Sequence, residues 1–213
     1  MLPMNSYQSE QLESIEAARR ILGTLPAEEL DRLQARIAAY LSFRDRVDAF
    51  LAAHFSGTCT RNCYQNRVSA CCSKDGIITF FADVVVNLLR AEPQEIDEWI
   101  AVLKREHAGF KCVYLSERGC LWRVKPIVCE MFLCDPAREA VFGGNPGLEK
   151  AWNGFESQKK RFTWPDRPVL FDDLERYFID RQCRTALMHL HYSPGLLRVK
   201  KIASEKGDFS NAR

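Results

Sequence analysis

The stretch CVYLSERGCLWRVKPIVCEMFLC, from Cys112 to Cys134, places four cysteines within 23 residues. Packing alone does not gather thiols so densely. Four uses compete for them: disulfides, metal ligands, a nucleophile with bystanders, or small buried hydrophobes. Upstream, SGTCTRNCYQNRVSACCSKD (Ser56 to Asp75) adds Cys59, Cys63, Cys71 and Cys72 in turn-rich sequence with little apolar periodicity. Eight of the nine cysteines thus fall in one window, and Cys183 stands apart. That window reads as an irregular segment awaiting something to organise it, and the fold depends on what that is.

The flanks read as helix. Leu12, Ile15 and Leu22 recur at helical spacing before Gly23, a natural residue to follow a helix end. A second helix opens at Pro26 with Glu28 and Glu29 at its positive end. Its stripe of Leu30, Leu33, Ile37, Leu41, Val47, Leu51 and Phe55 has polar residues opposite, so residues 1–55 form an amphipathic helical hairpin. That stripe can pack on the same chain or on a second copy. Within 56–135, GIITFF reads as a short strand or an entry into helix, and Pro93 starts a helix with Ile96, Trp99, Ile100 and Leu103 on one face. Lys111–Leu115 and Cys120–Arg123 flank SERG as a small hairpin, and IVCEMFL after Pro126 makes one or two helical turns. In 136–213, Leu148, Trp152, Phe155 and Phe162 keep helical spacing, Asp172 and Glu175 resemble a capping box, and SPGLLRVKKIA is a last helix. The expected fold is mainly α with a small irregular cysteine-rich module and short β segments, as one compact unit.

Composition excludes several function classes. A net charge of +2 offers no field for nucleic acid or an anionic membrane, and the basic runs at Lys159–Arg161 and Arg198–Lys201 read as solvated helix faces. Trp152, Phe155, Phe162 and Trp164 interleave with the first run, but their spacing suits a core better than base stacking. The longest apolar run, Ile77 to Leu89, is interrupted by Asp83 and Asn87 and falls short of the roughly 18 residues of a membrane span. With no basic-then-apolar leader pattern at the N-terminus, a cytoplasmic protein is expected.

In a reducing compartment, clustered cysteines are metal ligands or catalytic groups more often than disulfides, and an odd total suits a disulfide framework poorly. A catalytic thiol needs a base; His54 and His107 lie nearest in sequence, outside any nucleophile motif. The HLH at His189–His191 reads as capping or surface histidine, with a metal arm as the alternative. Cys59/Cys63 and Cys129/Cys134 have the close spacing of ligand pairs on one metal, because a tight turn brings both sulfurs to one side. Metal binding also supplies folding free energy where a hydrophobic face is missing. The candidate ligands are Cys59, Cys63, Cys71, Cys72, Cys112, Cys120, Cys129 and Cys134.

The order of these cysteines resembles the YkgJ-type cysteine-cluster family, described as a zinc- or iron-chelating domain. Cys71 and Cys72 match its vicinal pair, Cys112 with Leu115 its C-x-x-L element, and Gly119 with Cys120 its Gly-Cys. KPIVCEMF (Lys125 to Phe132) matches its Arg-Pro-x-x-Cys-Arg ending, with Lys125 and Glu130 in place of the two arginines. The front group, C-x3-C-x7-CC, is looser than the family's, and the resemblance covers about residues 59–134. It implies thiolate-held zinc or iron and no particular reaction. A similar arrangement in flagellin lysine N-methylases implies an iron–sulfur relative of such enzymes. No Gly-rich nucleotide loop follows a strand here.

Four thiolates satisfy tetrahedral zinc or an iron–sulfur cluster alike. Adjacent side chains diverge, so the vicinal pair suits a larger cluster or two metals, which leans toward iron–sulfur. Tyr64, Tyr114, Trp122 and Phe132 would shield such a group. Three readings follow: a metal-binding protein, an iron–sulfur-dependent enzyme, and a helical interaction protein with a structural metal staple that dimerises or binds a protein partner through residues 1–55.

Overall fold

A computed structural model of the chain describes residues 6–73, 78–107, 109–163 and 169–190. Among these are eight α-helices and one two-stranded antiparallel sheet. No helix among the described residues is long and apolar enough to cross a membrane.

Helices α1 (Ser6–Leu22) and α2 (Ala27–Phe55) form as their apolar spacing requires, with Pro26 just ahead of the second. They do not make a self-packed pair. Helix α1 lies against α3 (Phe81–Leu88) and α4 (Pro93–Leu103), while α2 packs on α6 (Asp135–Phe142) and α7 (Pro146–Thr163). The α2 stripe is therefore covered by its own chain. Phe43 stacks on Phe162 with ring centroids 5.4 Å apart, Tyr40 meets Phe171 edge-on at 5.4 Å, and Phe50 stacks on Trp152 at 5.8 Å. Such aromatic pairs add about 0.5–1.5 kcal/mol each beyond area burial. Tyr40, Phe43 and Arg44 are buried on α2 beside the stripe foreseen from spacing.

Helix α3 is the centre of the molecule. Its run Phe81–Asn87 is buried on every side, with α1 and α8 (Leu170–Ile179) packed against it. The Val84–Val86 run has modest helix propensity, so burial rather than propensity holds this helix. The Asp83 carboxylate caps its start by accepting from Phe80 N–H at 3.0 Å. Ile78–Phe80 is irregular rather than a strand; Gly76 and Ile77 lie outside the described residues.

A hairpin is present where one was predicted, but it is shorter and tighter than the expected arms. Strand β1 (Leu115–Ser116) pairs with β2 (Gly119–Cys120) across Glu117–Arg118, so the outer residues of SERG are strand, and Gly119 takes φ +105°. Pro126 leads into a single turn, α5 (Ile127–Glu130). Helix α6, just beyond it, was not foreseen. Two expectations at the C-terminal end need correction. Helix α8 starts at Leu170 after Val169, which has no capping side chain, so Asp172 and Glu175 lie inside the helix, where they meet the buried His189 at 2.6 Å and 2.8 Å. His189 is thus neither a cap nor a surface residue; its two carboxylate partners hold it against α8. His191, Trp164 and SPGLLRVKKIA lie outside the described residues. One hydrophobic cluster runs from Ile15 to Met188 and joins all three sequence segments.

Candidate metal centre

The thiols sit on short, irregular pieces that the helices hold in place. After α2 the chain continues as a π-helical segment, Ser56–Tyr64, carrying Cys59 and Cys63. Segments of this kind are concentrated at functional sites. Arg67 (φ 61°) and Ser69 (φ 39°) then reverse the chain, with Val68 N–H donating to Cys63 carbonyl at 2.9 Å. This reversal returns Cys71 and Cys72 toward the hairpin. Cys112 N–H donates to Cys72 carbonyl at 2.9 Å, and Ser73 bridges to Lys111 beside it. Tyr64 Oη donates to Ser116 carbonyl at 3.0 Å and ties the π-helical segment to β1.

The polar interruptions of α3 hold the other half. Asn87 Nδ2 donates to Val124 carbonyl at 2.7 Å, and Val124 N–H donates to Asn87 Oδ1 at 2.9 Å. Ile127 N–H donates to Asp83 Oδ1 at 3.2 Å, which seats α5 and its Cys129 on the same helix. Trp99 of α4 donates its indole N–H to Leu121 carbonyl at 2.9 Å and stacks on Trp122 at 5.2 Å. Tyr114 meets Trp122 edge-on at 5.1 Å. The hairpin therefore rests on a buried aromatic platform.

These pieces enclose a cavity of about 570 Å³. Six of the eight candidate thiols line it: Cys59, Cys71, Cys72, Cys112, Cys120 and Cys129. Cys63 and Cys134 are half-buried but outside its lining. All four predicted aromatics line it; Tyr114 and Trp122 are buried, while Phe132 is 54% exposed at the rim. Cys183 is buried at 3% exposure outside the cavity lining, as part of the hydrophobic cluster. Among the described residues, no three His, Cys, Asp or Glu side chains are gathered tightly enough to hold one metal ion.

Backbone groups beside the sulfurs pull them toward thiolate: those of Tyr114 and Leu115 at Cys112, of Trp122 at Cys120, and of Ile78 at Cys129. Burial outweighs that pull. Burial, with Cys120 close by, pushes the Cys112 thiol up to about 11. Burial, with Asp83 and Cys112 close by, pushes Cys129 up to about 12. Burial likewise raises Cys120, and it raises Cys59 with help from Cys71, Cys134 and Cys63. The vicinal thiols are hydrogen-bonded to each other, and that bond raises Cys71 and lowers Cys72. Trp122 carries a buried indole N–H with no acceptor among the described residues. Crowded thiols, backbone groups that favour thiolate and an unmet donor beside them fit an electron-rich thiolate-bound group.

A charged cluster that the cysteine pattern does not announce forms another part of the wall. Lys125 Nζ pairs with Glu130 Oε2 at 2.8 Å, with the Glu130 side chain only 4% exposed. Asp48 of α2 lies against Glu130, and burial with that neighbour pushes its carboxyl up to about 6. Arg44, one turn earlier, bonds Tyr40 Oη at 2.9 Å. Lys125 and Glu130 are the two departures from the arginines of the resembled pattern, and they pair with each other. Their complementary charge was the available signal; the four-residue spacing Tyr40, Arg44, Asp48 was the other.

A second hollow, of about 610 Å³, lies between α1 and α4. Its walls hold the exposed ion pairs Arg19–Asp97 (3.0 Å) and Lys104–Glu16 (3.4 Å) and no cysteine. It is a solvated groove. No family profile, curated protein or solved structure matches the chain.

Proposed function

We propose that this protein binds a metal group through its clustered cysteine thiolates, and that the group is an iron–sulfur cluster in preference to a lone zinc ion. The observation that carries this reading is the six-thiol lining of one cavity. A zinc ion with bonds of about 2.3 Å draws four sulfurs into a tight shell. A cluster interposes its own iron and sulfide, so it reaches thiols that stand further apart. Among the described residues no three ligating side chains are gathered tightly enough for one ion, which favours the second case. The residues of 56–135 then make an irregular cysteine-rich module whose organiser is the bound group.

Cys72, Cys112, Cys120 and Cys129 would hold the group deepest, with Cys59 and Cys71 toward the π-helical side. When bound, a cluster supplies one-electron transfer or a rigid staple. The chain's own residues do the rest. Tyr114 and Trp122 exclude water, the backbone groups of Tyr114, Leu115, Trp122 and Ile78 stabilise sulfur charge, and Lys125 offsets the negative charge of the thiolates.

An iron–sulfur-dependent enzyme is a second reading, favoured by the Asp48–Glu130–Lys125 cluster on the same cavity wall. Acid–base groups beside a metal group are what a reaction there needs.

Elemental analysis of protein purified without oxygen, with its visible spectrum, tests the proposal. Iron with sulfide and a broad brown absorbance support it. Stoichiometric zinc in a colourless sample replaces the cluster with a zinc staple. Protein free of both metals overturns the metal-binding reading.

A further inference from the structure

We infer that residues 65–73 form a strap that opens and closes the thiol cavity, and that Lys111 is its latch. The strap places Cys71 and Cys72 in the cavity wall. Its movement governs access to that cavity whichever group the thiols hold.

Apolar packing does not hold the strap. No side chain of 65–73 belongs to the hydrophobic cluster, and Val68 is 51% exposed. Many of its backbone bonds are local. Arg67 N–H donates to Tyr64 carbonyl at 2.8 Å, Val68 N–H to Cys63 carbonyl at 2.9 Å, and Cys72 N–H to Ser69 carbonyl at 3.0 Å. Bonds of this kind shape the strap without tying it to the helical core.

Among the described residues, its ties to the rest of the chain gather at Lys111 and Cys112. Lys111 Nζ donates to Val68 carbonyl at 2.5 Å and to Ser69 carbonyl at 3.1 Å. Backbone pairing joins Ser73 to Lys111, and Cys112 N–H donates to Cys72 carbonyl at 2.9 Å. Lys111 is itself fixed, because His107 Nε2 donates to its carbonyl at 2.6 Å. At the near end of the strap, Tyr64 Oη donates to Ser116 carbonyl at 3.0 Å. Hydrogen bonds from an ammonium are roughly twice as strong as neutral ones, so Lys111 makes the strongest of these ties.

The strap is also strained. Arg67 (φ 61°) and Ser69 (φ 39°) occupy the left-handed region, which a residue with a side chain holds when its surroundings enforce it. The two carbonyls that Lys111 grips belong to Ser69 and its neighbour Val68. Opening relieves backbone strain, and closing regains two charge-assisted bonds. With little apolar burial to lose, such a segment opens locally while the core stays folded.

The test measures opening in the full chain, purified without oxygen and kept reduced. Amide exchange is followed in 65–73, and mass spectrometry reads how fast iodoacetamide alkylates each cysteine. Lys111→Met keeps the length of the side chain and removes the ammonium. It should speed exchange in 65–73, and alkylation of Cys72, Cys112 and Cys120, by about tenfold or more, the scale of one lost charge-assisted bond. Cys183 should react at its wild-type rate. Tyr64→Phe, which frees the near end, should act in the same direction and carries the comparison if Lys111→Met does not fold. Unchanged exchange and alkylation in both variants overturn the strap. Equal acceleration at Cys183 in Lys111→Met would make Lys111 a support of the whole core and overturn the latch. Elemental analysis of the same samples reports metal content separately, so failure here leaves the metal reading standing.

Discussion

At the scale of single residues, the nine cysteines are not equivalent. Cys120 and Cys129 each combine burial, thiol neighbours and a backbone group that favours thiolate, whereas Cys183 sits in the hydrophobic cluster. Cys120→Ser or Cys129→Ser should lower bound metal and thermal stability together. Cys183→Ser should leave the metal content unchanged. A full metal complement in both of the first two variants, measured by mass spectrometry of the native protein, would remove these residues from the ligand set. A residue-scale prediction independent of metal concerns Glu29, which accepts from Tyr177 Oη and from Arg181 at 2.8 Å. The Tyr177 bond, with Arg181 beside it, holds the Glu29 carboxyl below its ordinary range. A depressed carboxyl contributes stability above its unfolded pKa of about 4.3 and loses it as pH falls through the folded value. Wild type should therefore melt above Glu29→Gln at pH 7, with the difference closing as pH falls below the ordinary carboxylate range. A gap that is constant across that range in thermal melts would contradict the assignment.

At the scale of elements, α3 joins the helical core to the thiol-bearing segments. Asn87 and Asp83 lie one turn apart on one side of it, and both bond backbone of the 124–127 segment. Asn87→Ala leaves the Val124 N–H and carbonyl without their buried partners, at a cost of about 2–4 kcal/mol for the lost bonds and unmet groups. Urea unfolding should show that loss. Metal retention should fall with it, because Cys129 then loses part of its mounting. In the hairpin, Gly119 at φ +105° has open space where a Cβ would go, so conformation alone decides a substitution. Gly119→Ala should cost about 1 kcal/mol or more and displace Cys120, read as a lower urea midpoint. An unchanged midpoint would show that the turn tolerates a side chain.

At the scale of the molecule, two kinds of cohesion coexist. The helices close over one aromatic-rich core, from Ile15 to Met188. The Ser56–Ser73 segment contributes no fully buried apolar side chain to it, and its Val68 is 51% exposed. Metal binding can supply folding free energy on the order of 10 kcal/mol to such a segment. Removing the metal with a chelator under reducing conditions should speed amide exchange in 56–73 and 111–134 and leave α7 and α8 protected. Uniform deprotection of all helices would mean instead that the metal group supports the whole core.

The helices were legible in the sequence because a helix face repeats at short range: Leu33, Ile37 and Val47 on α2, and Ile96, Trp99 and Leu103 on α4, declare themselves by spacing. The SERG turn and Pro126 were legible because turn and breaker chemistry is local. The cysteines declared their chemistry by number and proximity, which is again a local property. Position along the chain carries no information about which helices meet, so α1 was not seen to leave α2 for α3 and α4. Asp83 and Asn87 looked like flaws in an apolar run until the fold turned them toward residues 124–127. Asp172 and Glu175 looked like a cap, but the helix begins two residues earlier and they face His189 from within it. The union of Asp48 with Lys125 and Glu130 joins groups about eighty residues apart, and six thiols from four separate segments reach one cavity only through the packing around α3. Sequence set the local geometry and the donor chemistry; tertiary structure chose the partners, because burial rewards contacts without regard to distance along the chain.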